Sequence, residues 1–144
     1  ERTMGKYAQI VMGPAGSGKT TYCKFMAKHL ETLKRRPHLV NFDPAADGKD
    51  EFYDIDIRNL VTIDDIMEEL EFGPNGGLVY AIEFLAQNKD WLQDELGDYD
   101  DDYLVIDCPG QIELYTHVRA MKTIVQELQR LNYHCVVLYL LDSQ

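Results

Sequence analysis

Short apolar runs alternate with longer stretches in which apolar residues recur every three or four positions, and this alternation organises the chain. Four runs predict strands: Tyr7–Met12, His38–Phe42, Tyr103–Asp107 and His134–Leu141. The stretch from Thr20 to Leu33 is rich in helix formers. Leu78, Ile82, Leu85, Leu92 and Leu96 draw one apolar stripe, which predicts a single helix from about Gly77 to Leu96. Val118, Met121, Ile124, Val125, Leu128 and Leu131 predict another from about Tyr115 to Leu131. Thr62-Ile63-Asp64-Asp65 reads as a capping box that opens a shorter helix through Leu70. Val136 to Leu141 carries the pattern of a buried strand.

Strands separated by long helical crossovers pair in parallel, so the expected class is α/β: a mostly parallel sheet with helices on both faces. No internal repeat or low-complexity linker interrupts the pattern. Residues 6–144 therefore read as one domain, with 1–5 as a flexible or appended lead.

Composition narrows the partners. The chain has 144 residues, 45% hydrophobic and 27% charged, which is ordinary globular usage. Its 25 acidic against 14 basic residues leave a net charge of −11, a surface that repels nucleic-acid backbones and anionic lipid. The acids gather at Asp98, Asp100, Asp101 and Asp102 and between Asp64 and Glu71, where solvated loops and helix faces are expected rather than metal sites. Cys23, Cys108 and Cys135 are far apart and form no C-x-x-C pair, which argues for a reducing compartment and against a disulfide framework or a zinc site. No apolar stretch approaches the ~18 residues of a membrane span.

Chemistry begins at Gly13-Pro14-Ala15-Gly16-Ser17-Gly18-Lys19-Thr20, which fills every position of G-x-x-x-x-G-K-[ST] and lies between a predicted strand and a predicted helix. Such a loop curls its backbone N–H groups around phosphate oxygens, and the helix N-terminus adds partial positive charge. Lys19 is expected to reach the β- and γ-phosphates and the Thr20 hydroxyl to ligate Mg²⁺, with Thr21 next to it among the nucleotide-binding residues. The expected fold is thus a P-loop nucleoside triphosphatase.

A second motif follows. Tyr103-Leu104-Val105-Ile106-Asp107 is an apolar strand ending in an acid, suited to holding Mg²⁺, and it continues as Cys108-Pro109-Gly110-Gln111. In this D-x-x-G pattern the Gly110 N–H can register the terminal phosphate, and Gln111 can orient an attacking water. Asn41-Phe42-Asp43-Pro44-Ala45 closes another strand at the edge where ligands collect, so Asp43 is a candidate for the metal shell or for water; as Asp-Pro it is also a turn former. Asp56, in Asp56-Ile57-Arg58, is equally suited to a site or to the surface.

Gly73-Pro74-Asn75-Gly76-Gly77 sets five turn formers before an amphipathic helix. A rigid helix entry explains all of them except Asn75. The P-loop, this Gly-Pro-Asn loop and Asp107-Cys108-Pro109-Gly110-Gln111-Ile112-Glu113-Leu114 together resemble the GPN-loop GTPases, from Tyr7 to Gln144. The wording around Asp56-Ile57-Arg58 and Glu113-Leu114-Tyr115-Thr116-His117 is most similar to that family's third eukaryotic paralogue.

The resemblance implies a dimeric GTPase, as a homodimer or a heterodimer of paralogues, in which the Gly73-Pro74-Asn75 loop of one subunit reaches the other's nucleotide site. It assigns GTP or GDP and Mg²⁺ as cofactors, Thr20, Asp43 and Asp107 to the metal, and Gln111 and Glu113 to the attacking water. It further implies a role in assembly and nuclear import of RNA polymerase II, with a cytoplasmic protein that shuttles to the nucleus. The chain departs from the general GTPase pattern in lacking an Asn/Thr-Lys-x-Asp base-reading motif: Asn88-Lys89-Asp90 lacks the spacer and falls mid-helix in the predicted stripe. In the family that motif lies C-terminal to Gln144. Pro14 stands where related partitioning ATPases carry a lysine. Two other readings use the same loop: an assembly chaperone with incidental hydrolysis, and a nucleotide or small-molecule kinase. The kinase reading lacks an arginine-rich lid and leaves Gln111 without a role.

Overall fold

The computed structural model describes residues 5–14, 17–44, 46, 53–71, 74–97, 102–110 and 119–140, with backbone alone at 63, 66, 69, 70, 74–78 and 102. In chain order the elements are β1 (Lys6–Met12), α1 (Lys19–Thr32), β2 (Arg36–Asn41), β3 (Ile55–Asp56) with a 3-10 turn at Ile57–Asn59, α2 (Ile63–Leu70), α3 (Pro74–Gln87), α4 (Lys89–Leu96), β4 (Asp102–Asp107), α5 (Ala120–Arg130) and β5 (Tyr133–Tyr139). The strands form one parallel sheet in the order β3-β2-β4-β1-β5. Because β4 enters between β2 and β1, the carboxyl ends of three strands lie side by side. Val11 and Asn41 both stand in register with Asp107.

Side-chain alternation along the strands divides the core into two layers. Ala8, Ile10, Val40, Leu104 and Ile106 face α3, α4 and α5, where they meet Ile82, Leu85, Leu92, Ile124 and Leu128. Val11, Leu39 and Val105 face the other way, onto Cys23 and Leu30 of α1. Helices therefore cover both faces. The buried Gln9 of β1 is satisfied within this second layer: its amide donates to the Tyr103 hydroxyl at 2.8 Å and accepts from the Tyr22 hydroxyl at 2.8 Å.

Local chemistry explains several boundaries. The Thr62 hydroxyl accepts from the Asp65 N–H at 3.1 Å, so the predicted cap opens α2. Asp64 and Asp65 are exposed in its first turn, as solvated acids near a helix N-terminus should be. Pro74 starts α3, where its missing N–H leaves no bond unmade.

Three expectations need correction. The single helix from Gly77 to Leu96 is two, because the Asn88 side chain donates to the Phe84 carbonyl at 2.7 Å and its backbone leaves helical geometry there. Leu85 and Leu92 nonetheless keep one buried stripe across the break. Asn88 consequently sits at the N-terminal cap of α4 rather than mid-helix. The buried pattern expected for Val136–Leu141 holds only in part: Leu138 and Leu140 pack against the second core layer, but Val136 and Val137 are 50% and 54% exposed on a strand that pairs, among the described residues, with β1 alone, and Leu141 lies outside them. Finally, β3 went unpredicted; two residues are too short for a periodic signal. Of the helix expected from Tyr115, the described part is α5.

Truncating Leu85, fully buried between the sheet and the helices, should cost about 2–5 kcal/mol, whereas Val137→Ala on the open strand should cost under about 0.5 kcal/mol. Urea unfolding of the two variants measures the difference.

Candidate functional site

The site grows from the carboxyl ends of β1, β4 and β2. After Met12 the chain turns at Gly13 with φ 148°; a Cβ there would lie 2.5 Å from the Leu140 carbonyl oxygen and 2.9 Å from Ser17 Oγ. Only glycine allows that approach. Gly18, at φ 88°, is the left-handed residue from which α1 starts, and the space about its Cα is open. Pro14 accepts from the Ser17 N–H at 3.2 Å, which closes the loop into a turn. Ala15 and Gly16 lie outside the described residues.

Lys19 is buried, with its ammonium donating to the Pro14 carbonyl at 3.1 Å, so the cation is folded over its own loop. Ser17 Oγ is buried without a hydrogen-bond partner among the described residues. Thr21 is exposed in the first turn of α1. The described part of the loop thus brings a buried ammonium and a buried hydroxyl to the start of α1, whose N-terminus adds partial positive charge, chemistry that suits an anion.

Asp107 ends β4 beside this loop and is 4% exposed. Its Oδ2 accepts from the Thr20 hydroxyl at 2.8 Å and from the Tyr53 hydroxyl at 2.9 Å. The two predicted metal-side residues, 87 positions apart, are thus joined directly. Tyr53 was absent from the sequence reading; a lone tyrosine ahead of a two-residue strand gives no pattern to read. Burial first, then the charge and hydrogen bond of Asp107, push its phenol well above the usual value, so it remains a donor. Burial and the same carboxylate raise the Cys23 and Cys108 thiols, which stay protonated and inert.

Asp43 stands past the end of β2, next to β4. Its N–H donates to Asn41 Oδ1 at 2.9 Å and its carbonyl accepts from Asn41 Nδ2 at 3.0 Å. Asn41, fully buried, also donates to Asp56 Oδ1 at 2.9 Å. Asp56 is in turn clasped by Arg58, with Nη2 to Oδ2 at 2.7 Å and Nε to Oδ1 at 3.0 Å. Arg58 also lies over the Tyr53 ring at 5.9 Å. Asp56 is therefore a structural acid that braces Asp43 and Tyr53, not a surface one. Burial would raise its pKa, but the Arg58 guanidinium and N–H and the Asn41 amide outweigh that and hold it below the usual range.

Gly110 is described three residues beyond Asp107. Gln111 and Glu113 lie outside the described residues, as does Gly73. Asn75 falls in the first turn of α3, with its backbone alone described.

The family model described as "Conserved hypothetical ATP binding protein" matches residues 11–144. A Dictyostelium discoideum protein named GPN-loop GTPase 3 is 59% identical over 141 residues, 98% of this chain and 50% of its own length. The Saccharomyces cerevisiae protein of the same name is 49% identical, over 97% and 52%. The chain spans about half the length of the curated relatives it matches. Among solved structures, a GTPase in apo form from Pyrococcus abyssi superposes with TM-score 0.71 and 30% identity, over 92% of this chain and 52% of that one. An APS kinase from Mycobacterium tuberculosis, 8% identical with TM-score 0.53 over 95% and 76%, shares the fold alone.

Two variants test the bracing. Arg58→Met should cost about 2–4 kcal/mol near neutral pH, because it strands a largely buried carboxylate. In the wild type the Asp56 contribution is present above the unfolded carboxylate pKa and is lost as pH falls through the depressed folded value. The deficit of the variant should therefore shrink on acidification, which urea titrations at several pH values would show. Tyr53→Phe keeps the ring but removes a donor to a charged acceptor, and should cost about 1.5–3 kcal/mol.

Proposed function

This chain belongs to the GPN-loop GTPase family, and from that premise we propose that it binds GTP at the Gly13–Thr20 loop and contributes to its hydrolysis. The observation that supports the reading is the 2.8 Å bond between the Thr20 hydroxyl and Asp107, which joins the helix after the loop to the strand-end carboxylate. Lys19 would exchange the Pro14 carbonyl for phosphate oxygens, with little movement of the helix that carries it.

The residues fit Mg²⁺. Thr20 and Asp107 offer hard oxygen donors, and a single carboxylate leaves room for water and phosphate oxygens, as that ion prefers. Asp43, held by Asn41 at the next strand end, would complete the outer arrangement. When bound, Mg²⁺ would neutralise charge on the phosphates. The chain itself has to position groups: the loop and Lys19 hold the phosphates, Gly110 senses the terminal one, and Gln111 with Glu113 orients water.

The wider reading rests on the family resemblance. The protein works as a homodimer or as a heterodimer with a paralogue, with Asn75 acting across the subunit boundary. Its clients are RNA polymerase II subunits, and it resides in the cytoplasm and shuttles to the nucleus. The alternative is an assembly chaperone whose output is partner binding and whose hydrolysis is incidental.

In the full-length protein, Lys19→Ala should abolish triphosphate binding while the fold persists, because the side chain's hydrogen bond goes to its own loop. Gln111→Ala should leave affinity near wild type and lower kcat by about 10²-fold or more. Titrating both with GTP and ATP, with turnover recorded, tests the reading; unchanged GTP affinity in Lys19→Ala overturns it.

A further inference from the structure

On this acidic chain one segment has the opposite sign. Between Lys24 and Arg36 stand Lys24, Lys28, Lys34, Arg35 and Arg36, five of the chain's 14 basic residues, against one acid, Glu31. The fold gathers four of these five around a single groove. α1 ends at Thr32, and the chain reverses through Lys34 at φ 61°, closed by Arg35 N–H donating to the Leu30 carbonyl at 3.0 Å. This turn brings Arg35 and Arg36, at the start of β2, back beside Lys24 and Lys28, one helical turn apart on α1.

The resulting open groove, about 830 Å³, is lined by Lys24, Phe25, Lys28, Glu31, Arg35 and Arg36. It lies over the start of β2, whereas the P-loop lies at the opposite, carboxyl end of the sheet. The other acid at its edge, Asp54, spends one carboxylate oxygen on the Leu39 N–H at 2.9 Å. Arg35 is fixed in advance: its guanidinium lies 5.5 Å from the Tyr7 ring and 5.3 Å from the Tyr103 ring, and Nη2 donates to the Gly5 carbonyl at 3.2 Å. A cation already ordered loses little entropy on meeting an anion.

Phe25 supplies the second property. It is 65% exposed, the most exposed of the large apolar side chains described, and its ring stacks on His29 with 6° between the planes. An exposed aromatic ring beside arginines at the rim of a groove combines two residue types that interfaces favour.

We infer that this groove binds an acidic peptide segment of a partner protein, in which carboxylates flank one large apolar residue. The carboxylates meet Lys24, Lys28, Arg35 and Arg36, and the apolar residue covers Phe25. Charge complementarity selects this occupant: on a chain of net charge −11 the four cations around this groove reverse the local sign, which steers an acidic segment toward it. The site is separate from the nucleotide site, so its occupancy does not require the loop chemistry.

The test uses the full-length protein and a short fluorescein-labelled peptide with one phenylalanine flanked by glutamates, followed by fluorescence anisotropy. Two control peptides carry lysines in place of the glutamates, or serine in place of the phenylalanine. Wild type should bind the first peptide in a salt-sensitive manner and should bind either control at least about tenfold more weakly. The double variant Lys24→Glu/Lys28→Glu should weaken binding about tenfold or more, and Phe25→Ser should weaken it at unchanged salt dependence. Thermal melting and nucleotide affinity should match wild type in both variants, which separates loss of this site from loss of the fold or of the P-loop. Binding that is indifferent to Lys24→Glu/Lys28→Glu, or no binding by the folded protein, overturns the proposal. Self-association of the wild type that the charge reversal abolishes would assign the groove to a second copy of this chain and would equally overturn it.

Discussion

A carboxylate buried at the end of the middle strand has to be satisfied by its neighbours, and much of this molecule is arranged around that requirement. Asp107 is almost wholly removed from water, where an unpaired charge would cost several kcal/mol. Its donors come from far apart in the chain: Thr20 from the P-loop helix and Tyr53 from the segment before β3. Its backbone carbonyl meanwhile accepts from the Phe42 N–H at 2.9 Å, which ties β2 to the same point. A change at any one of these elements is felt at Asp107, and so at the P-loop.

The second polar cluster extends this brace. Asn41 spends both ends of its amide on Asp43, and its amide nitrogen also reaches Asp56. Asp56 occupies Arg58, whose guanidinium lies over the Tyr53 ring. The path from Asp43 through Asn41, Asp56 and Arg58 to Tyr53 and Asp107 is continuous, each link a hydrogen bond or a cation over a ring. Buried networks of this kind specify one arrangement because a partly satisfied version is far less stable. The acid of the Asp56-Ile57-Arg58 motif is therefore spent on holding the strand ends in register, and chemistry is left to the groups they present.

Electrostatics divides the surface as well as the interior. The overall acidity gives the chain a repulsive exterior, and one helix–strand corner breaks it with a cluster of cations around an exposed ring. The two ends of the sheet are thus different in kind. The carboxyl end gathers one lysine, a hydroxyl and a braced acid, and the amino end carries aromatic rings stacked on arginine.

Much of the fold was legible in the sequence, because strand and helix periodicities are local and survive whatever tertiary neighbours arrive. The P-loop, the strand-end Asp107 and the Thr62 cap were readable for the same reason: each depends on residues a few positions apart. Strand order was not legible, since the insertion of β4 between β1 and β2 is a matter of which faces bury against which helices. Nor was the exposure of Val136 and Val137, which have a core strand's composition on a strand that, among the described residues, pairs on one side only. The break at Asn88 turned on one side chain choosing the Phe84 carbonyl over solvent. Tyr53 and Asn41 could be recognised only once the chain had folded, for a buried hydroxyl or amide acquires its role from the partner 54 or 15 residues away that it satisfies. The sequence by itself determined the elements and the Gly13–Thr20 loop motif; the tertiary structure decided which distant acids and donors share one buried site, because unpaired polar groups cannot remain in a packed interior.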